Sequence, residues 1–401
     1  MTQRKPKPIP TTPSVLRWAR LYRGLSIAQA ANELRIGQSD LRALEQGDIK
    51  PDASMLRKMS QVYRQVDSVL LLSEPPATTN LPTDFRTVGG VTADLSEATI
   101  WAIREAQQLQ RFISELTEDD DEIITIPNIP HKTTSDDAEV VASKERARFQ
   151  VTLEHQLKWP TQETFGRWRF RMQTKGILVL IKRMPREDCR GVSLTGEGLI
   201  PTIVVNAVDV ETAKTFTLFH EYAHLMLGSA GVCIRGEDNT DRGLVEKWCN
   251  QFAAAFLIPA DSLRDVARTK FNVTGLTDWH LNDVRKLAVR FKVSRPAMAL
   301  RLQELGLAPA NFYDKNKQLL NHSEQSPERK AEVKSLKRPP GWRARQTFNE
   351  IGFSAAEAII GAYRNQVTDI TEAADALGLS LEDLFGLEDR VEVERVRNAG
   401  L

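Results

Sequence analysis

Two histidines four residues apart, His220-Glu221-Tyr222-Ala223-His224, constrain this chain more than any other stretch of it. On a helix, residues i and i+4 lie one above the other, so a helix across residues 215–227 stacks both imidazoles on one face and projects Glu221 beside them. That spacing is the one two zinc ligands need, with a carboxylate next to them that is free to act as a base. The chain holds only six histidines, so the pattern arises rarely by chance. The plain alternative is a pair of half-exposed helical histidines with no ligand role.

The rest of the sequence bounds what surrounds such a helix. At 401 residues, two or three domains are expected. With 41% hydrophobic and 27% charged residues, the chain falls among soluble globular proteins rather than disordered or membrane ones. Its longest apolar runs, residues 177–181 and 253–258, fall far short of a bilayer span. The first twelve residues are basic and punctuated by proline, with no apolar stretch behind them, which is unlike a secretory signal. A cytoplasmic protein without a membrane partner is therefore expected. Cys189, Cys233 and Cys249 are odd in number and lack C-x-x-C spacing, which argues against a disulfide framework or a cysteine-rich zinc finger. Residues 1–72 carry twelve Lys or Arg against six Asp or Glu. A basic N-terminal module thus precedes a near-neutral to acidic remainder, either as a solvated face or for nucleic-acid contact.

Within that module, Val15, Leu16, Ala19, Leu21 and Tyr22 predict a first helix ending near Gly24. Ser26 then caps a second helix over residues 27–34, and after a short turn at 35–37 a third covers residues 38–45, closed by Gly47. Two short helices joined by a tight turn make a helix-turn-helix, whose second helix enters the major groove. GLSIAQAANELRIGQSDLRALEQG, with Arg20 ahead and Pro51 behind, resembles the XRE (Cro and cI type) DNA-binding domain over residues 14–72. The resemblance implies that Ala31, Ile36 and Leu41 are core, that Arg20 and Glu45 form an internal ion pair, and that Gln38, Ser39 and Arg42 face DNA. Arg42 would be the base reader, because guanidinium pairs with guanine through two hydrogen bonds. The sequence departs from the family at Ile27, where Gln is common, and at Gly37, where a capping Ser is common. Such modules also serve in protein–protein contacts, which is the alternative partner.

A proline-rich linker is expected at residues 75–82. Leu95, Ala98, Ala102, Ala106, Leu109, Ile113 and Leu116 then recur at helical spacing, an amphipathic helix that packs on the next domain or on a second copy, making a homodimer possible. The five acids at 118–122 read as a solvated loop, with metal binding as the alternative. Helices are expected from Ala142 and near residues 163–173, followed by strands at 176–182 and 202–206 and a helix start near Asp209. Residues 203–206 are either a substrate rail on a sheet edge, pairing with an extended peptide, or an ordinary sheet strand.

A catalytic zinc site needs a third protein ligand. Residues 244–258 read as a helix stopped by Pro259, on which Glu246, Cys249, Asn250 and Ala253 share a face. Glu246 is the best ligand there, and Asn250 is placed to accept the outer N–H of a ligating histidine. IVVNAVDVETAKTFTLFHEYAHLML followed by EKWCNQFAAAFLIP resembles the ImmA/IrrE metallopeptidases over about residues 167–307, and members of that family often carry an XRE module in front. The resemblance implies zinc held by His220, His224 and Glu246, Glu221 as general base in peptide hydrolysis, and a zincin-like domain. The departures are Tyr222, where a smaller aliphatic residue is commoner, and Cys249 in place of Ala. Tyr222 either packs in the core or donates to the oxyanion. Cys233 is either a plain loop cysteine or a thiolate that closes zinc's open position.

Residues 288–305 and 373–387 echo the helix, small turn, helix plan of the first module, as further nucleic-acid-binding units or as packing pairs. Residues 324–345 read as a basic linker. The expected fold is mainly α with a small β-sheet (α+β): an all-α helix-turn-helix domain at 14–72, a linker and long helix at 73–141, a zinc metallopeptidase domain at 142–307 and a basic linker with C-terminal helical segments at 308–401. The expected function is that of a zinc-dependent regulatory endopeptidase cutting a repressor or antitoxin-like protein. The alternative is a DNA-binding transcriptional regulator whose peptidase domain senses with little turnover.

Overall fold

A computed structural model describes residues 8–23, 25–63, 65, 67–76, 95–119, 127–228, 241–321 and 341–399. The chain divides into two compact units, residues 1–104 and 105–401. The first holds α1 (Pro13–Tyr22), α2 (Ile27–Leu34), α3 (Gln38–Gln46), α4 (Ala53–Tyr63), α5 (Asp67–Leu70) and the opening turns of α6 (Glu97–Asp119). Its elements form where the local chemistry dictates. Ser26 Oγ accepts from Gln29 N while the Gln29 side chain accepts from Ser26 N, a reciprocal cap that starts α2. Arg35 closes α2 in the left-handed region at φ 57°, and Ile36 N returns to Ala31 O over 3.0 Å. Ala31 and Leu41 are buried, with Ile36 packed against them. Beneath them Arg20 donates to both Glu45 oxygens, at 2.6 and 2.9 Å, and to Leu25 O at 2.7 Å, so the buried guanidinium is paired and oriented. On the turns of α6 that belong to this unit, Glu97 pairs with Arg23 at 2.6 Å, and Arg104 lies 4.3 Å from the Tyr22 ring centroid.

The second unit continues with α7 (Ala138–Arg148), α8 (Leu153–Lys158), α9 (Thr164–Gln173), β1 (Leu178–Lys182), β2 (Gly191–Leu194), β3 (Thr202–Asn206), α10 (Glu211–Leu227) and α11 (Asp241–Leu257). It ends with α12 (Ala260–Phe271), α13 (Leu281–Phe291), α14 (Arg295–Glu304), α15 (Phe312–Asn321), α16 (Trp342–Ile351), α17 (Phe353–Arg364), α18 (Ile370–Leu377) and α19 (Leu381–Ala399). The chain is mainly helical with one small sheet, as expected. Strand β2 is the addition: four residues after a charged loop give too short an alternation to be read from sequence.

The strand order is β1-β3-β2, with β3 parallel to β1 and antiparallel to β2. Residues 203–206 therefore cannot serve as a substrate rail. β3 is the central strand, its backbone groups are committed on both sides, and all five of its residues are buried. Its last residue is scaffolding. Asn206 Nδ2 donates to Met184 O and Cys189 O, and its Oδ1 accepts from Met184 N and Val208 N, so the side chain holds both the loop that leads into β2 and the turn that leads into α10.

Helix α10 packs against β2, β3, α9 and α11. Its inner face meets an aromatic core: Phe219 stacks on Phe256 with centroids 3.9 Å apart, and Trp168 approaches both rings edge-on at 5.0 and 5.2 Å. All three side chains are fully buried, which fixes the rotation of α10 about its axis. The C-terminal helices are fastened to the same body by Arg169. Its guanidinium donates to Val179 O of β1 and, at 2.7 and 2.6 Å, to Asn349 O and Glu350 O at the end of α16. Gln173 adds a bond to Ile351 O at 2.9 Å. Gly352, at φ +81°, is required there, since a Cβ would stand 2.6 Å from Gln173 Oε1 and 2.9 Å from Arg169 Cζ.

The greater part of the expected 75–82 linker, the acids beyond 119, Cys233 and most of the 324–345 segment lie outside the described residues. Among the described residues, no helix is long and apolar enough to cross a membrane.

Candidate metal centre

Because the aromatic stripe of α10 turns inward, the face bearing His220 and His224 turns toward the start of α11. Both histidines are at least nine-tenths buried. The two Nε2 atoms lie 3.2 Å apart, Glu246 Oε2 is 3.3 Å from His220 Nε2, and Glu246 Oε1 is 3.4 Å from His224 Nε2. Nitrogen and oxygen ligands bind zinc at ~2.0–2.1 Å, and the edge of a tetrahedron of that radius is about 3.3–3.4 Å. All three separations fall at or beside that edge length. The donor set therefore fits a zinc ion: two imidazoles and one carboxylate converging on one point, with a tetrahedral corner left over. Among the described residues this is the one cluster of three metal-ligating groups. Burial pushes Glu246 up, but hydrogen bonds from His220 and His224, together with their charge, outweigh it and hold the carboxyl well below the usual range.

Glu221 occupies the turn between the two ligands and is fully buried against β2. Gly191 makes this possible: a Cβ there would stand 2.5 Å from Thr217 Cγ2 and 2.9 Å from both Glu221 Cγ and Oε1. The helix and the strand thus approach where only a glycine fits. Cys189, on the loop just before, feels the same carboxylate. Its thiol is pushed up to about 12 by burial first, then by the charges of Glu221, Asp188 and Asp209.

The remaining expected site residues are distributed as follows. Tyr222 points away from the cluster and packs in the core. Its Oη donates to Glu145 Oε2 at 2.6 Å and its ring lies edge-on to Phe149 at 5.6 Å. Of its two expected roles the geometry gives it packing. Asn250 is exposed and bonds neither histidine, whereas buried Cys249 holds its thiol against His224; burial pushes that thiol up and the imidazole pulls it back in part. The reason lies in the helix. Cys249, Phe252, Ala253 and Phe256 form the buried stripe of α11, and a helical step of ~100° carries Asn250 past Glu246 to the far side. Gln38, Ser39 and Arg42 lie exposed together on α3 of the first unit. Gly191, Cys189 and Glu145 escaped sequence reading. None lies in a pattern of its own, and each matters only through what folding brings beside it.

Residues 172–303 match the model of a peptidase family described as the IrrE N-terminal-like domain, and residues 14–71 match the model of a helix-turn-helix domain. Comparison with curated proteins and with solved structures finds no match.

Proposed function

We propose that this chain, a helix-turn-helix domain joined to an IrrE N-terminal-like peptidase domain, is a zinc-dependent endopeptidase of regulatory type acting in the cytoplasm on a repressor or antitoxin-like protein. The observation that carries the reading is the triangle of His220, His224 and Glu246, whose edges match a tetrahedral zinc site. Zinc, when bound, lowers the pKa of water towards ~7 and polarises a peptide carbonyl. His220 and His224 would each give the metal a ring nitrogen and Glu246 a carboxylate oxygen. Glu221 takes the proton of the attacking water and returns it to the leaving amine. Gly191 leaves room for its side chain on β2, and Cys249 orients the His224 imidazole.

The exposed trio Gln38, Ser39 and Arg42 supports a tethering role for the first module, on DNA or on a repressor. Holding enzyme and substrate together raises the local concentration of the scissile segment. The test is incubation of the zinc-loaded chain, and of Glu221→Gln, with a helix-turn-helix repressor encoded beside it. Cleavage by the native chain alone is expected. Cleavage that persists in Glu221→Gln would overturn the assignment of the base. No cleavage by either, with tight operator binding, would replace a peptidase by a DNA-binding regulator.

A further inference from the structure

The helix, tight turn, helix plan occurs three times with one geometry. Arg35, Lys292 and Gly378 each end a helix in the left-handed region, at φ 57°, 61° and 60°. In each case the next residue's N–H returns to an alanine carbonyl: Ile36 to Ala31 at 3.0 Å, Val293 to Ala288 at 3.0 Å and Leu379 to Ala374 at 2.9 Å. The following helix starts three positions after the left-handed residue, at Gln38, Arg295 and Leu381. What differs is the surface. Residues 370–399, which span α18 and α19, carry eight acidic against three basic side chains, the wrong sign for a phosphate backbone.

Helix α19 also has one apolar stripe more than its own fold uses. Leu384, Leu387 and Val391 are buried against α16–α18. On the opposite side Leu381, Phe385, Val393 and Val396 are exposed by 47, 49, 69 and 71%. Asp389, one turn from both Phe385 and Val393, lies within that second stripe and Glu382 beside its first turn; both are exposed and have no ion-pair partner among the described residues. An open face of apolar pairs separated by unpaired charge is the signature of a docking face. Pairing with another α19 would set acid against acid.

We propose that this face docks the basic helix-turn-helix module of a second copy of the chain. Residues 1–72 carry the complementary charge, twelve basic against six acidic, and expose Ile49 by 45%, with Lys50 exposed next to it in sequence and Arg42 exposed on α3. Two copies that exchange the contact form it twice, closing a two-fold symmetric dimer. The third helix-turn-helix is thereby a protein-docking version of the first.

The test is sedimentation velocity of the full zinc-loaded chain at about 50 and about 500 mM NaCl. A dimer at low salt is expected, with its dissociation constant raised at least ~10-fold at high salt. Glu382→Lys combined with Asp389→Lys should weaken it by a similar factor, as should Arg42→Glu combined with Lys50→Glu. These positions are exposed, so circular dichroism should show each variant folded. Phe385→Ser should weaken the dimer without changing its salt dependence. An equimolar mixture of the two charge-reversed variants should dimerise again. A chain that stays monomeric at low salt, or a dimer unmoved by either charge set, would overturn the proposal.

Discussion

Among the polar clusters buried in the described residues of the second unit, two are finished in opposite ways. Around Arg169 a buried cation meets backbone carbonyls, those of Val179, Asn349 and Glu350, which take up four of its five N–H groups. Burial lowers its pKa to about 9, yet the group is held in place by its acceptors. At the junction of α10 and α11, two imidazole nitrogens and a carboxylate crowd together at 3.2–3.4 Å. Acceptors facing acceptors are reconciled only by protons or by a cation. A cluster held by its own backbone is architecture. A cluster that gathers lone pairs around one point is a site, and the two should fail differently when broken.

The largest difference is expected in turnover. Glu221→Gln keeps the shape of the side chain and removes the base, so cleavage should fall by ~10²–10⁴-fold while the chain retains its zinc and its unfolding midpoint. Metal content measured beside the rate separates the two. If Glu221→Gln lost zinc as well, Glu221 would belong to the ligand set and the comparison would have to be redrawn. Arg169→Ala should do the reverse. The carbonyls of Val179, Asn349 and Glu350, the first of them buried, lose their donor, so unfolding in urea should show a loss of ~3–5 kcal/mol, with the rate per folded molecule unchanged.

Much of this is legible in the sequence, for a definable reason. The ligand trio sits on two helices whose 3.6-residue period can be read directly, and the first helix-turn-helix announces itself through a capping serine, a turn and an alternating core. Reading failed where a role depends on a neighbour distant in sequence. Gly191 is one glycine among 22 until α10 is laid across it. β3 reads as a strand, but its central position depends on β2, whose four residues carry no pattern. Asn250 reads as the histidine's partner because it shares a face with Glu246; that Cys249 stands there instead depends on which stripe of α11 is buried. Arg169 looks like any helical arginine, because its partners arrive some 180 positions later.

Smaller effects sharpen the boundary between site and scaffold. Gly191→Ala drives a methyl into Thr217 and Glu221, and a shift of the base by ~1 Å should cost up to ~100-fold in kcat with zinc retained. A rate within a few-fold of the native chain would mean that Glu221 does not depend on that approach. Tyr222→Phe removes a donor from buried Glu145, and a loss of ~1–2 kcal/mol in stability with kcat unchanged is expected. A fall in kcat without loss of stability would return Tyr222 to the oxyanion.

The smallest effect concerns Cys189, and it is confined to alkaline pH. The folded thiol is raised to about 12 from the ordinary value of 9.0 that it regains on unfolding. Between those two values the unfolded chain has released the proton and the folded chain still holds it. The folded state then binds more protons, so stability falls as pH rises through that window and is unaffected below it. Cys189→Ala should remove this component, giving a shallower decline of the urea midpoint from about pH 8 to about pH 10.5 than the native chain shows. Parallel declines would mean that the thiol titrates as it does in the unfolded chain, and that the pocket beside Glu221 is wetter than its burial implies. That outcome would move Glu221 from a desolvated base to a solvated one, and with it the sharpest contrast between the two clusters.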